Sequence, residues 1–191
     1  MSAVERVRHQ VAIAGRITDA QTGRAIAGAE VRLTAVPPAL TTPGLLASLH
    51  TAADGHFHYL DLPDGSYTLS ISLPEAGSRY GTAWQQVAVS RTVQGKINLA
   101  TADIPLPPTT IKGQITNPGN APIVMAEIRV RGSGEKTFSD GQGRYVLSGL
   151  EAGARTILVS AQGFQTATET SPPGVAGSVS TLNFTLTPSP S

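Results

Sequence analysis

From Ser66 to Leu73 the chain alternates without a break. Tyr67, Leu69, Ile71 and Leu73 are apolar, and Ser66, Thr68, Ser70 and Ser72 carry hydroxyls. A period of two sends one set into a core and the other into water, which predicts a half-buried strand. Glu30 and Arg32 against Val31 and Leu33 repeat the pattern. So do Glu127, Arg129 and Arg131 against Ile128 and Val130, and Asn183 and Thr185 against Leu182, Phe184 and Leu186. Between these runs lie turn sequences: Asp19-Ala20-Gln21-Thr22-Gly23, Asp54-Gly55, Pro63-Asp64-Gly65, Asn117-Pro118-Gly119 and Asp140-Gly141. Their residues tolerate left-handed backbone or bond to it locally. Short alternating strands spaced this closely predict an all-β chain of antiparallel sandwiches with little helix.

The pattern occurs twice. Ile13-Ala14-Gly15-Arg16-Ile17-Thr18-Asp19 matches Ile111-Lys112-Gly113-Gln114-Ile115-Thr116-Asn117. Ala29 to Leu33 matches Ala126 to Val130, Gly55 to Leu62 matches Gly143 to Leu150, and Asp103 to Pro107 matches Asn183 to Thr187. The order is kept while the separation of the matches shrinks along the chain, so the first copy carries insertions. Two copies are too few for a solenoid and read as tandem domains. The expected division is an arm at 1–10, a sandwich at 11–107, a second at 108–188 and a tail at 189–191.

Composition narrows the function classes. The formal net charge is +1 and charged residues make up 14% of the chain. No basic stripe accompanies them, and nucleic-acid binding needs one to neutralise phosphates. Cysteine is absent, which removes disulfides, thiolate nucleophiles and cysteine-ligated zinc. No apolar run is long enough for a membrane span. The first ten residues lack the apolar core of a secretory signal, so the expected route is cytoplasmic synthesis without a signal peptide.

The strand motifs carry a resemblance. Gly15 to Leu33 followed by Asp54 to Leu69, and Gly113 to Val130 followed by Asp140 to Ile157, run as G-x-I-T, a turn, A-x-V-x-L, then a glycine turn leading into two alternating strands. Asp103 to Pro107 supplies a last strand. Each copy resembles the carboxypeptidase regulatory-like domain, a transthyretin-like, Ig-like sandwich related to the B-type repeats of bacterial collagen adhesins. The resemblance implies a non-catalytic spacer, folding aid or binding module, with no cofactor. The second copy departs from the pattern, with Arg155 in the place of Tyr67.

Candidate chemistry is sparse. His56 and His58 share a strand face, and with His50 they are the residues to weigh for a metal site. The second copy has Arg144 and Val146 there, and a wet strand face accounts for both histidines, so no metal is expected. No Gly-x-Ser-x-Gly elbow occurs, and all four histidines lie in the first 58 residues, so no catalytic triad is expected. Lys112 on a first strand and Asn183 on a last strand have the residue types of an isopeptide pair. The other copy has Ala14 in the lysine's place, and Lys112 should face water.

The binding candidates are apolar. The stretch from Leu33 to Gly55 is longer than its counterpart and includes Leu40, Leu45, Leu46 and Leu49. Thr42 and Pro43 read as the cap and first position of a short helix with Leu45, Leu46 and Leu49 on one face. That segment either covers its own sandwich or docks on a partner. Val4 and Val7 in the N-terminal arm are further contact candidates. Trp84, the sole tryptophan, either stands on the wet face near Tyr80 or caps the core before its strand begins. The main expectation is a structural adaptor binding other protein subunits, copies of itself included, in a larger assembly such as a phage-tail-like contractile injection particle. The alternative is a surface-adhesion or carbohydrate-binding module using exposed aromatics.

Overall fold

Polar and apolar residues alternate over short runs, and the chain folds accordingly. The computed structural model describes residues 9–37 and 48–190. It divides into two compact units: Met1–Pro74 with Thr82–Leu106, and Glu75–Gly81 with Pro107–Ser191.

In the first unit, β1 (Val11–Asp19) lies between β4 (His56–Leu60), antiparallel to it, and two short parallel strands, β8 (Ala100–Thr101) and β9 (Ile104–Leu106). The other sheet has the order β3 (Leu49–His50), β2 (Glu30–Ala35), β5 (Gly65–Ser72), β6 (Ala83–Arg91) and β7 (Ile97–Asn98). Strand β5 shows the predicted alternation: Tyr67, Leu69 and Ile71 are buried, and the hydroxyls between them face outward. Burying each such side chain contributes about 1.5–3 kcal/mol. Ile13, Ile17, Phe57 and Tyr59 meet them from the first sheet's side of the core.

The second unit repeats the plan. Strand β10 (Thr110–Thr116) pairs with β13 (Arg144–Ser148) and with the parallel pieces β16 (Val179–Thr181) and β17 (Phe184–Thr185). The opposing sheet is β12 (Lys136–Phe138), β11 (Glu127–Val130), β14 (Thr156–Ser160) and β15 (Ala167–Thr170). Ile111, Ile115, Tyr145 and Phe184 from one sheet and Ile128, Val130, Ile157 and Val159 from the other form one cluster.

The same two devices hold both units. In each, the strand running parallel to the first strand breaks and crosses over a glycine. Ala102 donates its N–H to Ala14 O, and Leu182 donates to Lys112 O, both at 2.9 Å. A Cβ on Gly15 would fall on the carbonyl of Ala102, and one on Gly113 on that of Leu182. The next residue's side chain then replaces the lost ladder acceptor: Arg16 N–H donates to Asp103 Oδ1 at 3.0 Å, and Gln114 N–H to Asn183 Oδ1 at 2.9 Å. The second device is a buried hydroxyl. Thr51 Oγ1 accepts from Ala29 N–H and donates to Ile26 O; Ser139 Oγ accepts from Ala126 N–H and donates to Ile123 O.

Candidate functional site

The alternation that builds the first unit's core also builds its outer face. On the five-stranded sheet, Arg32 lies opposite Ser70, and Ser70 opposite Trp84, in one row across β2, β5 and β6. Thr68 pairs with Gln86 in the next row and Ser66 with Ala88 beyond it. Strand β6 begins at Ala83, ahead of Trp84, and so the indole stands outward, 66% exposed. Of the two placements open to Trp84 in the sequence, the structure has the wet face. At the sheet's edge Asn98 Nδ2 donates to Ser90 Oγ at 3.0 Å.

Charge on this face is internally balanced. Arg32 Nη2 donates to Glu30 Oε1 at 2.6 Å, and that bond holds the Glu30 carboxyl below its ordinary range. The remaining outward groups of β5 and β6 are hydroxyls, an amide, a methyl and the indole.

The other candidates fall elsewhere. Leu40, Leu45, Leu46, Val4 and Val7 lie outside the described residues. Leu49, expected on a helical face, is half-buried in β3 opposite Val31. Strand pairing there satisfies its backbone, which a single turn of isolated helix would leave to water. Tyr80 belongs to the second unit, half-buried, with its backbone bridged to Pro108. Trp84 belongs to the first unit.

The histidines share one shallow hollow with Asp54: His50, His56 and His58 all line it. His56 Nδ1 lies 3.0 Å from Asp54 Oδ2, and the His56 backbone N–H and then its ring hold Asp54 below the ordinary carboxylate range. Among the described residues, no group of three or more histidine or carboxylate side chains is placed to hold a metal ion. Lys112 is exposed on β10, and Asn183 Oδ1 accepts the Gln114 backbone N–H at 2.9 Å.

Sequence reasoning passed over a charged hollow in the second unit. Arg79, Arg131, Glu135, Glu151 and Arg155 line it. Arg79 Nη1 donates to Glu135 Oε1 and to Gly149 O, both at 2.7 Å, and Arg155 Nη2 donates to Glu151 Oε2 at 3.2 Å. Hydrogen bonding from Ser133 and then from Arg79 draws the Glu135 carboxyl down to about 2. These groups largely serve one another. The Arg79–Glu135 match spans 56 residues, so no local motif could announce it; Glu151 and Arg155 are only four apart.

Among the described residues, no helix is long and apolar enough to cross a membrane. No curated protein matches the chain in sequence. Among solved structures, the Bacillus anthracis TIE protein is similar over 93% of this chain and 34% of its own, with 13% identity and a TM-score of 0.41. A streptococcal ancillary pilin is similar over 96% and 63%, with 16% identity and a TM-score of 0.39. The shaft pilin of Lactobacillus rhamnosus GG is similar over 96% and 98%, with 12% identity and a TM-score of 0.39. The chain thus spans about a third of the first protein and under two thirds of the second. The repeated glycine crossing, the buried hydroxyl and the two-sheet plan agree with a family match found twice, at residues 12–100 and 110–187: the chain belongs to the carboxypeptidase regulatory-like domain family.

Proposed function

We propose that the chain is a non-catalytic surface-adhesion module, and that the outer face of the first unit's five-stranded sheet is what it presents. The observation that carries this reading is Trp84, 66% exposed on a regular strand. A large aromatic ring left in water forgoes about 1.5–3 kcal/mol of burial, a loss that contact with a ligand recovers. The family supports a binding role as a fold-level analogy. This reading takes adhesion at a cell exterior in preference to the particle component.

Adhesion of beads coated with the full chain tests it. The surfaces are purified bacterial sacculi, a plant cell-wall preparation, and plates coated with fibronectin or collagen. At least one surface should retain the beads, and Trp84→Ala should reduce that retention by about fivefold or more, the worth of about 1 kcal/mol per contact. Retention unchanged by the substitution would sink the reading.

A further inference from the structure

The chemistry around Trp84 decides what kind of surface it meets, and we infer that the ligand is a neutral polysaccharide. This rests on the adhesion reading and adds the ligand's class. A protein hot spot is ringed by groups that exclude water and has an apolar centre. The neighbours of Trp84 are instead Ser70 across the strand pair, Thr68 and Gln86 in the next row, and Arg32 beyond Ser70. Each offers a hydrogen bond to a wet partner.

Charge excludes the acidic alternative. A polyanion needs unpaired cations along its path. Arg32, the cation of this row, is already bonded to Glu30 at 2.6 Å. A face whose one arginine is already paired complements a ligand without charge. Sugar rings combine what the face lacks with what it offers: an apolar C–H face for the indole to stack on, and a rim of hydroxyls for Ser70, Thr68, Gln86 and the free guanidinium nitrogens of Arg32. Strands lie about 4.8 Å apart, so neighbours within a row present these groups at intervals that successive hydroxyls can meet.

The second unit supplies an internal contrast. There Thr168 pairs with Leu158 where Trp84 pairs with Ser70, and the same outer face carries the exposed Phe138 among charged neighbours, Glu127, Arg129 and Lys136. The aromatic platform and the neutral rim occur together in one unit only, so the inference assigns the ligand to the first.

Because the chain has a single tryptophan, its fluorescence reports on this site alone. The experiment uses the full chain in native gels cast with hydroxyethylcellulose, xylan, laminarin, mannan or, as the acidic comparison, polygalacturonate. Acrylamide quenching of Trp84 is read with and without each polymer. At least one neutral polymer should retard the chain and reduce quenching about twofold. Trp84→Ala should weaken retardation about tenfold or more at an unchanged thermal midpoint, with Trp84→Phe in between. Gln86→Ala should weaken it less. Retardation by polygalacturonate alone, by no polymer, or equally in Trp84→Ala overturns the inference. If beads still adhere to fibronectin or collagen through Trp84 while no neutral polymer binds, the ligand class is wrong and the adhesion reading stands. If Trp84→Ala changes neither assay, both fall.

Discussion

Tyr67 and Arg155 stand at the same place in the two units and answer the same demand with different chemistry. Tyr67 Oη donates to Pro63 O, four residues back, at 2.7 Å. Arg155 Nε donates to Glu151 O, also four residues back, at 3.0 Å, and its Nη2 donates to Ala152 O at 3.0 Å. The turn leading into β5 or β14 leaves a carbonyl that needs a donor. The phenol supplies one from inside the core, where Tyr67 is 1% exposed, and the guanidinium supplies two from the surface. What the duplication preserves is the backbone's unmet hydrogen bond, and the side chain that meets it is free to change. Trp84 against Thr168 is the opposite case, because the outward position answers to no backbone demand and the two units have diverged in character there.

The comparison is broken most severely where the units agree. Gly15 and Gly113 each lie under a crossing carbonyl, so an added Cβ collides with backbone that cannot rotate away. Gly113→Ala should destabilise the second unit by about 3 kcal/mol, at the upper end of overpacking effects, and Gly15→Ala the first by a similar amount. Native-state hydrogen exchange reads the two units separately. Amides of β11 and β14 should lose protection in Gly113→Ala, and those of β2 and β5 in Gly15→Ala. Equal protection in variant and parent would mean that the crossing strands yield.

The buried hydroxyls come next. Thr51→Val and Ser139→Ala each leave one N–H and one carbonyl without a partner in a dry place, at a cost of about 1–3 kcal/mol. Matching losses of urea-unfolding stability in the two variants would show that the device is equivalent in both copies. A loss in only one would show that water reaches the other site.

Acid separates the units. The Glu135 carboxyl, ordinarily near 4.5, is held down to about 2 by Ser133 and Arg79. A group with a depressed folded value contributes stability that is present above its unfolded value. That stability is lost as pH falls from about 4.5 to about 2. Partial solvent exposure limits the contribution to about 1 kcal/mol. The second unit of Glu135→Gln should therefore be less stable than the parent at pH 7 and converge on it toward pH 2. A gap that is constant across that range would assign the loss to packing.

Much of this fold was legible because its causes are local. The alternation in Ser66–Ser72 needed no partner to be read as a strand, and the repeated Gly-x-Ile-Thr marked both first strands. What the glycine is for was not legible, because the carbonyls crossing Gly15 and Gly113 belong to Ala102 and Leu182, far along the chain. The aspartates before the turn mislead. The sequence pairs Asp54 with Asp140, but the backbone pairs Ala52 with Asp140: Gly55 N–H bonds Ala52 O and Gly143 N–H bonds Asp140 O. The positive φ of both glycines fixes that alignment, and Asp54 instead accepts the His56 N–H. The buried hydroxyl did leave a trace, a Thr or Ser four residues before the turn glycine in each copy. The outward position of Trp84 stayed open because parity cannot say where a strand begins.

The smallest effects sharpen the opening comparison. Tyr67→Phe keeps the ring in the core and removes only the donor to Pro63 O, so it should lower stability by about 1 kcal/mol. Arg155→Lys keeps the charge but cannot reach Glu151 O and Ala152 O with a planar fork; with water at hand for both carbonyls, the loss should be about 0.5 kcal/mol. Arg155→Tyr is the decisive swap. If the demand is the backbone's alone, a phenol at this place should bond Glu151 O and recover the stability lost in Arg155→Lys. If the second unit's core has closed over the space that Tyr67 fills in the first, the ring will not fit. Arg155→Tyr will then be the worst of the three by urea unfolding, which would show that the neighbouring core has adapted to the arginine.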